Sequence, residues 1–204
     1  MAVLRGFLRG LWYTGSRGEN DKSGFVQEAE SMIGFENRIL QSKRLTYRLL
    51  NESDKEALHK ILSDRSVTEP AGFMPADTKE KFDEFFAELT QYNTGIAILN
   101  VETLIGYIHV NKYSSDLPKY RGKKGVSTGF VIGKKYQNQG YATETLETIT
   151  TYLKQSFDYC IADHFAGNEP SKRVIEKCRY HYLETYSMFF DELGEELTCL
   201  SYIR

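Results

Sequence analysis

The sequence has no basic excess and no long apolar run, and each of these absences excludes a class of protein. Its 26 Lys and Arg residues are balanced by 28 Asp and Glu residues, whereas general nucleic-acid binding needs a surplus of positive charge. No apolar stretch approaches the ~20 residues of a membrane-spanning helix. We therefore expect a chain that binds neither nucleic acid nor a membrane.

Cysteine is also scarce. Cys160, Cys178 and Cys199 are the only three cysteines, and they lie far apart. No CxxC pair or histidine cluster gives the spacing of a zinc site, so we expect no metal. Unpaired cysteines suit a reducing compartment, which predicts a cytoplasmic protein.

Residues 1–41 differ in character from the rest of the chain. Apolar residues between positions 3 and 12 recur at helical spacing with Arg5 and Arg9 among them, a pattern also found in helices at membrane surfaces. The alternative is a packing segment or an artificial extension. Residues 14–24 are rich in Gly, Ser and charged side chains, as linkers are. We place one folded domain at residues 42–204.

Within this domain, short apolar strands alternate with amphipathic helices in the order βααβββαβαββ. One helix is predicted to start at a capping box formed by residues 53–56, and another to begin at Asn168, a good helix N-cap. The last two strands are expected to form a hairpin. This order predicts an α/β fold in which helices cover both faces of a mixed, mostly antiparallel sheet.

The most informative segment is residues 136–144, YQNQGYATE, which follow the apolar run at residues 129–133. A strand, a glycine-bearing turn and a helix in this order place free backbone N–H groups at a helix N-terminus, which suits a phosphate. The spacing matches neither the dinucleotide fingerprint GxGxxG nor the nucleotide-binding loop GxxxxGK[ST]. The turn alone is also compatible with a simple strand-to-helix connection.

Further residues make the interpretation specific. The pattern Q-x-x-G-x-A at Gln137, Gly140 and Ala142 resembles the acetyl-CoA signature of the GNAT N-acetyltransferase superfamily. Residues 139–144, 44–49, 105–108 and 168–177 resemble the branch that acetylates the N-termini of ribosomal proteins. The resemblance covers residues 42–204, and it implies a GNAT-like fold and an acetyltransferase that uses acetyl-CoA as its co-substrate.

The resemblance also implies positions for the co-substrate. The main chain of Phe130, Val131 and Ile132 would pair with the pantetheine arm, and the N–H of Val131 or Ile132 would polarise the thioester carbonyl. The pyrophosphate would bind the main chain of Gln137, Asn138, Gln139, Gly140, Tyr141, Ala142 and Thr143. Asn168 would contact the pantetheine arm, Ser171 the departing sulfur, and Lys172 and Arg173 the 3′-phosphate.

The chain departs from the family pattern where a proton donor and a proton acceptor are usual. Ile175 replaces the tyrosine that often protonates the thiolate, and Ser127 replaces a carboxylate common in the ribosomal-type branch. The remaining candidate acids are Ser171, Tyr180 and Tyr182, and the candidate bases acting through water are Glu102, Asp116 and His109. Arg179 replaces a helix-ending glycine, so the helix either ends in a strained left-handed residue or ends differently.

A weak base favours an acceptor amine of low pKa. An α-amine has a pKa near ~8, whereas a lysine amine has one near ~10.4 and is much harder to deprotonate at neutral pH. We therefore expect acetyl transfer to a protein or peptide N-terminal α-amine, by direct attack in a ternary complex. The alternatives are a small-molecule amine acceptor such as an antibiotic, polyamine or amino acid, and a non-catalytic acyl-CoA-binding module. Both a monomer and a homodimer are compatible with the sequence.

Overall fold

The computed structural model describes residues 35, 38–72, 76–115, 117–190 and 195–204. The amphipathic pattern and the linker predicted before residue 35, the candidate base Asp116 and the tip of the terminal hairpin lie outside these residues.

In the described part of the chain, eight strands form one sheet in the order β1-β2-β3-β4-β5-β6-β8-β7. The strands are β1 Leu40–Gln41, β2 Thr46–Leu49, β3 Gly95–Asn100, β4 Thr103–Tyr113, β5 Gly125–Ile132, β6 Tyr159–Phe165, β7 His181–Phe190 and β8 Glu195–Ile203. Neighbouring strands are antiparallel except β5 and β6, which run parallel.

The helices of the described chain are α1 Lys55–Leu62, α2 Arg65–Thr68, α3 Lys79–Gln91, α4 Tyr141–Leu153 and α5 Glu169–Lys177. They contribute to two separate apolar clusters. One cluster includes Leu146 of α4 and Ile175 of α5, and the other includes Leu58 of α1 and Phe86 of α3. The predicted mixed α/β fold with a mostly antiparallel sheet is confirmed.

The folded part of the chain begins before Ser42, the predicted start of the domain. Leu40 pairs with Tyr47 across β1 and β2, and Phe35 is buried in the cluster that contains α4 and α5. The sequence pattern did not reveal β1 because a two-residue strand is too short to show an alternation.

The cap of α1 lies earlier than the sequence indicated. Asn51 accepts a hydrogen bond from Ser53 N–H through its side chain, and Asp54 accepts one from Asn51 N–H. This capping box introduces a short 3-10 turn at Glu52–Asp54, and α1 follows at Lys55. Asp54 also binds Arg48 through two hydrogen bonds, a tertiary contact that local pattern does not reveal.

The structure shows how α5 ends with Arg179 in place of a helix-ending glycine. Arg179 adopts the left-handed conformation with φ of 60°. Its N–H donates to Glu176 C=O, and Tyr180 N–H donates to Ile175 C=O. The helix therefore ends with the geometry expected for glycine, although an arginine occupies the position.

The parallel strands β5 and β6 part before they end. Their pairing runs from Gly125 opposite Tyr159 to Thr128 opposite Ala162, yet β5 continues to Ile132 and β6 to Phe165. β5 stays paired with β4 over its whole length. The parting leaves one edge of β5 facing a gap, and this gap positions the candidate site.

Candidate active site

The turn between β5 and α4 presents main-chain amides at the helix N-terminus. After a 3-10 turn at Lys134–Tyr136, Asn138 and Gly140 take left-handed conformations with φ of 60° and 80°. Glu144 N–H donates to Gly140 C=O at 3.0 Å, and the amides that precede it belong to the helix turn whose N–H groups have no intrahelical partner. Free amides at a helix N-terminus suit an anion.

The Arg44 side chain binds both this turn and the first turn of α4. Its Nη1 donates to Gln139 C=O at 2.9 Å, and its Nε donates to Glu144 Oε2 at 2.7 Å. Its guanidinium also lies 4.4 Å from the centre of the Tyr141 ring. Ser42 Oγ adds a hydrogen bond of 2.7 Å to Glu144. One side chain thus holds the turn and the first turn of α4 together.

Side chains within the turn are also engaged in holding its shape. Gln137 Nε2 donates to Ile132 C=O at 3.0 Å, and Gln139 Nε2 donates to Lys135 C=O at 3.0 Å. Both glutamines lie in the predicted pyrophosphate segment. Because the side-chain amides of both glutamines form hydrogen bonds within the loop, the main-chain N–H groups are the candidates for binding an anion there.

Hydrogen bonding between β4 and β5 determines which main-chain groups face the gap. Gly133 N–H donates to Ile105 C=O at 2.8 Å, and antiparallel partners alternate between bonded and non-bonded pairs. The register is continuous along β5, so the Val131 amide is directed toward β4. The amides of Phe130 and Ile132 are directed toward the gap.

This geometry corrects the role expected for Val131. Its N–H cannot polarise a thioester in the gap, because the strand directs that amide to β4. Its side chain is buried in the cluster that contains α1 and α3. The main-chain groups of Phe130 and Ile132 are therefore the candidates, and the sequence alone could not distinguish them without the register.

A cavity of about 50 Å³ lies where the two strands part. Its lining consists of Ala71, Gly129, Phe130, Asp163, His164, Phe165, Asn168, Ser171, Tyr186 and Cys199. A water molecule needs roughly 10–15 Å³ by a comparable measure, so the cavity has room for a group of a few heavy atoms. It brings together β5, β6, α5 and the terminal hairpin.

Asn168 and Ser171 both reach this cavity. Asn168 Oδ1 accepts from Ser171 N–H at 3.2 Å, and its Nδ2 donates to Pro70 C=O at 2.8 Å. The Asn168 amide therefore caps α5 and ties it to the segment after α2. The half-buried Ser171 is on the lining, whereas Lys172, also half-buried in the first turn of α5, is not part of it.

Tyr180 is not at this site, so its prediction as a catalytic acid is wrong. It is 3% exposed in the apolar cluster of α4 and α5, and its hydroxyl bonds Thr150 at 2.7 Å. Burial raises the pKa of Tyr180 well above its ordinary value. Tyr182 lies exposed on β7, and His109 is buried, which lowers the pKa of its imidazole to about 4.

Asp163 and Tyr186 are further residues of this cavity, which the sequence pattern did not single out. Tyr186 OH donates to Asp163 Oδ2 at 3.2 Å, and both residues line the cavity. Burial raises the pKa of Asp163 to about 6, although hydrogen bonds from Ser201 and Tyr186 oppose the increase. The sequence signal that could have indicated this site is the carboxylate of Asp163, which lies within a strand whose pattern otherwise predicts burial.

The three cysteines are poor nucleophiles. All are buried, and burial raises the pKa of Cys160 to about 11 and the pKa values of Cys178 and Cys199 to about 12. Only Cys199 lines the cavity. Since the thiolate is the reactive form of cysteine, the site does not provide an activated thiol.

The described residues hold no group of three or more His, Cys, Asp or Glu side chains arranged to bind a metal ion. None of their helices has both the length and the apolar character needed to cross a membrane.

Comparison with known sequences then identifies the family. A family model described as "Acetyltransferase (GNAT) domain" matches residues 44–181, which include the turn, the parted strands and α5. The chain belongs to the GNAT acetyltransferase family. The resemblance seen in the sequence is thereby confirmed, and the protein is an acyltransferase of a family that uses acetyl-CoA.

Individual GNAT relatives agree with this assignment. A Bacillus subtilis (strain 168) protein described as "Uncharacterized N-acetyltransferase YnaD" is 27% identical over 142 residues, covering 68% of this chain and 79% of that protein. A GNAT-family acetyltransferase structure from Bacillus anthracis is 24% identical with a TM-score of 0.69, covering 82% of this chain and 98% of its own. Both matches extend over most of the GNAT domain.

A second GNAT structure was determined with coenzyme A. It is the ribosomal L7/L12 alpha-N-protein acetyltransferase RimL, which is 17% identical with a TM-score of 0.64 and covers 82% of this chain and 97% of its own. At this identity the similarity establishes the shared fold. The family assignment makes the present chain an enzyme, so the alternative of a non-catalytic acyl-CoA-binding module is not supported.

Proposed function

We propose that this GNAT enzyme transfers the acetyl group of acetyl-CoA to the α-amine of a protein or peptide N-terminus, by direct attack in a ternary complex. The observation that supports this most is the composition of the cavity between the parted strands. It contains a weakly basic carboxyl group, a serine and a tyrosine, together with a cysteine whose thiol is held protonated.

The donor would bind along the parted strand and the anchored turn. The main-chain amides of residues 137–143 would hold the pyrophosphate, since a helix N-terminus favours negative charge. The main-chain groups of Phe130 and Ile132 would pair with the pantetheine arm. Asn168 would border this arm, and Lys172 lies one turn into α5, where its ammonium would approach the 3′-phosphate.

The acetyl group would then lie in the cavity. Phe130 N–H faces the gap, and Phe130 lines the cavity, so this amide is our candidate for polarising the thioester carbonyl. Such a donor aimed at a developing oxyanion contributes roughly 3 kcal/mol of transition-state stabilisation. Ser171 would donate a hydrogen bond to the departing thiolate.

Direct attack follows from the state of the candidate nucleophiles. A covalent acyl-enzyme requires a thiolate or an activated hydroxyl. Burial keeps Cys199 in its thiol form. In the described part of the chain, no basic side chain forms a hydrogen bond with the Ser171 hydroxyl. The amine is therefore the group that attacks the thioester.

The acceptor class follows from proton affinity. A carboxylate with a pKa of about 6 takes a proton from an ammonium of pKa ~8 at a cost of about 3 kcal/mol. Taking one from a lysine ammonium of pKa ~10.4 costs about 6 kcal/mol by the same rule. This difference favours an α-amine over a lysine side chain.

The test is a panel of acceptors with release of free coenzyme A thiol as the readout. The panel contains a lysine-free peptide with a free N-terminus, an N-acetylated peptide carrying one lysine, a polyamine, a free amino acid and an aminoglycoside. We expect the free N-terminus to give the highest kcat/KM. Preference for lysine or for a small molecule would overturn the acceptor assignment, and release with none of them would overturn the proposed transfer.

A further inference from the structure

Asp163 occupies an unusual position in the sheet. It belongs to β6, which the terminal hairpin covers on one edge, with Ser201 of β8 directly opposite. Its buried Oδ1 makes no hydrogen bond of ordinary length among the described residues, although the Ser201 hydroxyl lies near enough to the carboxyl group to oppose the increase in its pKa. Oδ2 accepts from Tyr186. An unsatisfied buried carboxylate oxygen is costly to maintain, which suggests that the oxygen has a partner during the reaction.

Asp163 shares its cavity with the groups that we propose contact the thioester. Asp163 lines the same cavity as Phe130 of the parted strand and Ser171 of α5. The cavity thus joins a main-chain amide suited to the thioester carbonyl, a hydroxyl suited to the sulfur, and a carboxyl group. A proton acceptor is the group that this set still lacks, because an amine attacks only after losing a proton, and a carboxylate can serve as one.

Polar and titratable side chains of the neighbouring strands surround Asp163. Tyr186 and Glu184 approach from β7, and Ser201 and Cys199 from β8. His164 follows on β6, but its two ring nitrogens bond Phe165 C=O and Tyr202 OH. The neighbouring acidic side chain of Glu184 adds to burial in raising the pKa of Asp163.

We propose that Asp163 accepts a proton from the acceptor amine at this site, and that Tyr186 is a positioning residue that holds the carboxylate through its hydroxyl. The proposal rests on the proposed acetyl transfer and deepens it. It supplies the base that the family pattern lacks at Ser127, from a different strand of the sheet.

The proton and electron balance is complete. Asp163 takes one proton from the ammonium, and the freed nitrogen lone pair forms the N–C bond to the acetyl carbon. The C–S bond breaks with its electron pair on sulfur, and the second nitrogen proton is transferred to the thiolate. Asp163 then returns its proton to solvent, so that one ammonium and acetyl-CoA give the amide, coenzyme A and one proton.

The first experiment replaces the carboxyl group with its isosteric amide, Asp163→Asn. General-base catalysis typically contributes 10²–10⁴-fold, so we expect kcat with a free-N-terminus peptide to fall by about 100-fold or more. Formate should partly restore the activity of Asp163→Ala by occupying the vacated space as a small base. The matched control is Asp158→Asn, which removes an exposed carboxylate at the start of the same strand and should leave kcat unchanged.

The pH profile distinguishes a proton acceptor from a structural residue. The wild-type kcat/KM should show an acid-side inflection near pH 6, which Asp163→Asn should abolish. Tyr186→Phe removes a hydrogen bond that favours the ionised carboxylate, so it should shift this inflection to higher pH. Unchanged acetyl-CoA affinity and an intact melting transition would show that the variants fold.

Three results would overturn the assignment of Asp163. They are near-wild-type kcat in a folded Asp163→Asn variant, persistence of its acid-side inflection, and an unchanged inflection in Tyr186→Phe. Each of these leaves acetyl transfer by the wild-type enzyme intact. Absence of coenzyme A release by the wild-type enzyme would instead contradict the proposed function itself.

Discussion

Arg44 and Glu144 lie 100 residues apart in the sequence and are joined by two hydrogen bonds of 2.7 Å, one from the Arg44 amide and one from its Nε. The same guanidinium reaches the carbonyl of Gln139. A charged pair of this geometry is stronger than a neutral hydrogen bond. It connects the chain before β2 to the turn that we propose holds the pyrophosphate.

Arg44→Met tests whether this connection preorganises the turn. Loss of the guanidinium removes the hydrogen bond to Gln139 C=O and the positive charge beside Glu144, although the Ser42 hydroxyl and the main-chain amide of residue 44 still bond that carboxylate. We expect KM for acetyl-CoA to rise about tenfold, equivalent to roughly 1.4 kcal/mol, with kcat nearly unchanged. Steady-state kinetics at saturating acceptor measure both quantities.

Lys43→Met is the matched control for this variant. It removes one positive charge from the exposed neighbouring residue without breaking a described hydrogen bond. If Lys43→Met raised KM as much as Arg44→Met, general charge attraction would explain the effect, and the bracing of the turn would not.

Ser171→Ala tests the proposed hydrogen bond to the departing sulfur. Asn168 contacts the Ser171 amide and not its hydroxyl, so the cap of α5 should survive the substitution. Loss of one hydrogen bond costs about 1 kcal/mol, and we expect kcat to fall roughly five- to tenfold with unchanged affinity for acetyl-CoA. A variant with wild-type kcat would remove Ser171 from the mechanism.

Asp163→Asn should increase thermal stability at neutral pH while lowering activity. The native carboxyl group keeps its proton up to about pH 6, whereas the unfolded one releases it near ~3.9. Between these values the native state binds more protons than the unfolded state, so wild-type stability falls as pH rises through this window. Asparagine does not titrate and therefore avoids this loss.

The stability difference has a defined pH dependence. From pH 4 to pH 7, the stability of the variant relative to wild type should increase by about 2 kcal/mol. Unfolding in denaturant at both pH values measures the two differences. A pH-independent difference would show that the Asp163 carboxyl group titrates normally in the folded protein.

Arg179→Gly should stabilise the fold without affecting catalysis. Arg179 is exposed and left-handed with φ of 60°, a conformation that costs a non-glycine residue about 1–2 kcal/mol. We expect a gain of roughly 1 kcal/mol in the free energy of unfolding, reduced by the greater freedom of glycine in the unfolded chain. Lys177→Gly, inside α5, should be destabilising by a similar amount, and a loss of stability in Arg179→Gly would contradict the strain.

The parts of the fold that depend on local pattern could be predicted from the sequence. The apolar stripe of α3, the cap at Asn168 and the turn around Gly140 are all encoded by neighbouring residues. Local pattern did not predict β1 or α2, since elements of two and four residues carry too little periodicity. The box that caps α1 was placed wrongly because Asp54 binds the Arg48 guanidinium of the preceding strand as well as the Asn51 amide.

The site was predicted less completely because its geometry depends on strand register. Which amide of β5 faces the gap is decided by pairing with β4, so Val131 was the wrong choice. Tyr180 was expected near the reaction because it lies close in sequence to α5, but the chain carries it into the core. Asp163 and Tyr186 are 23 residues apart in sequence, and only the hairpin brings them together.

The choice between an α-amine and a lysine acceptor can be measured on a single peptide. A peptide that carries both a free N-terminal α-amine and one lysine is incubated with enzyme and acetyl-CoA near neutral pH, and fragment masses locate the acetyl group. We expect acetylation at the α-amine, with one coenzyme A released for each acetylated peptide. Acetylation of the lysine side chain, or coenzyme A release without a modified peptide, would contradict this expectation.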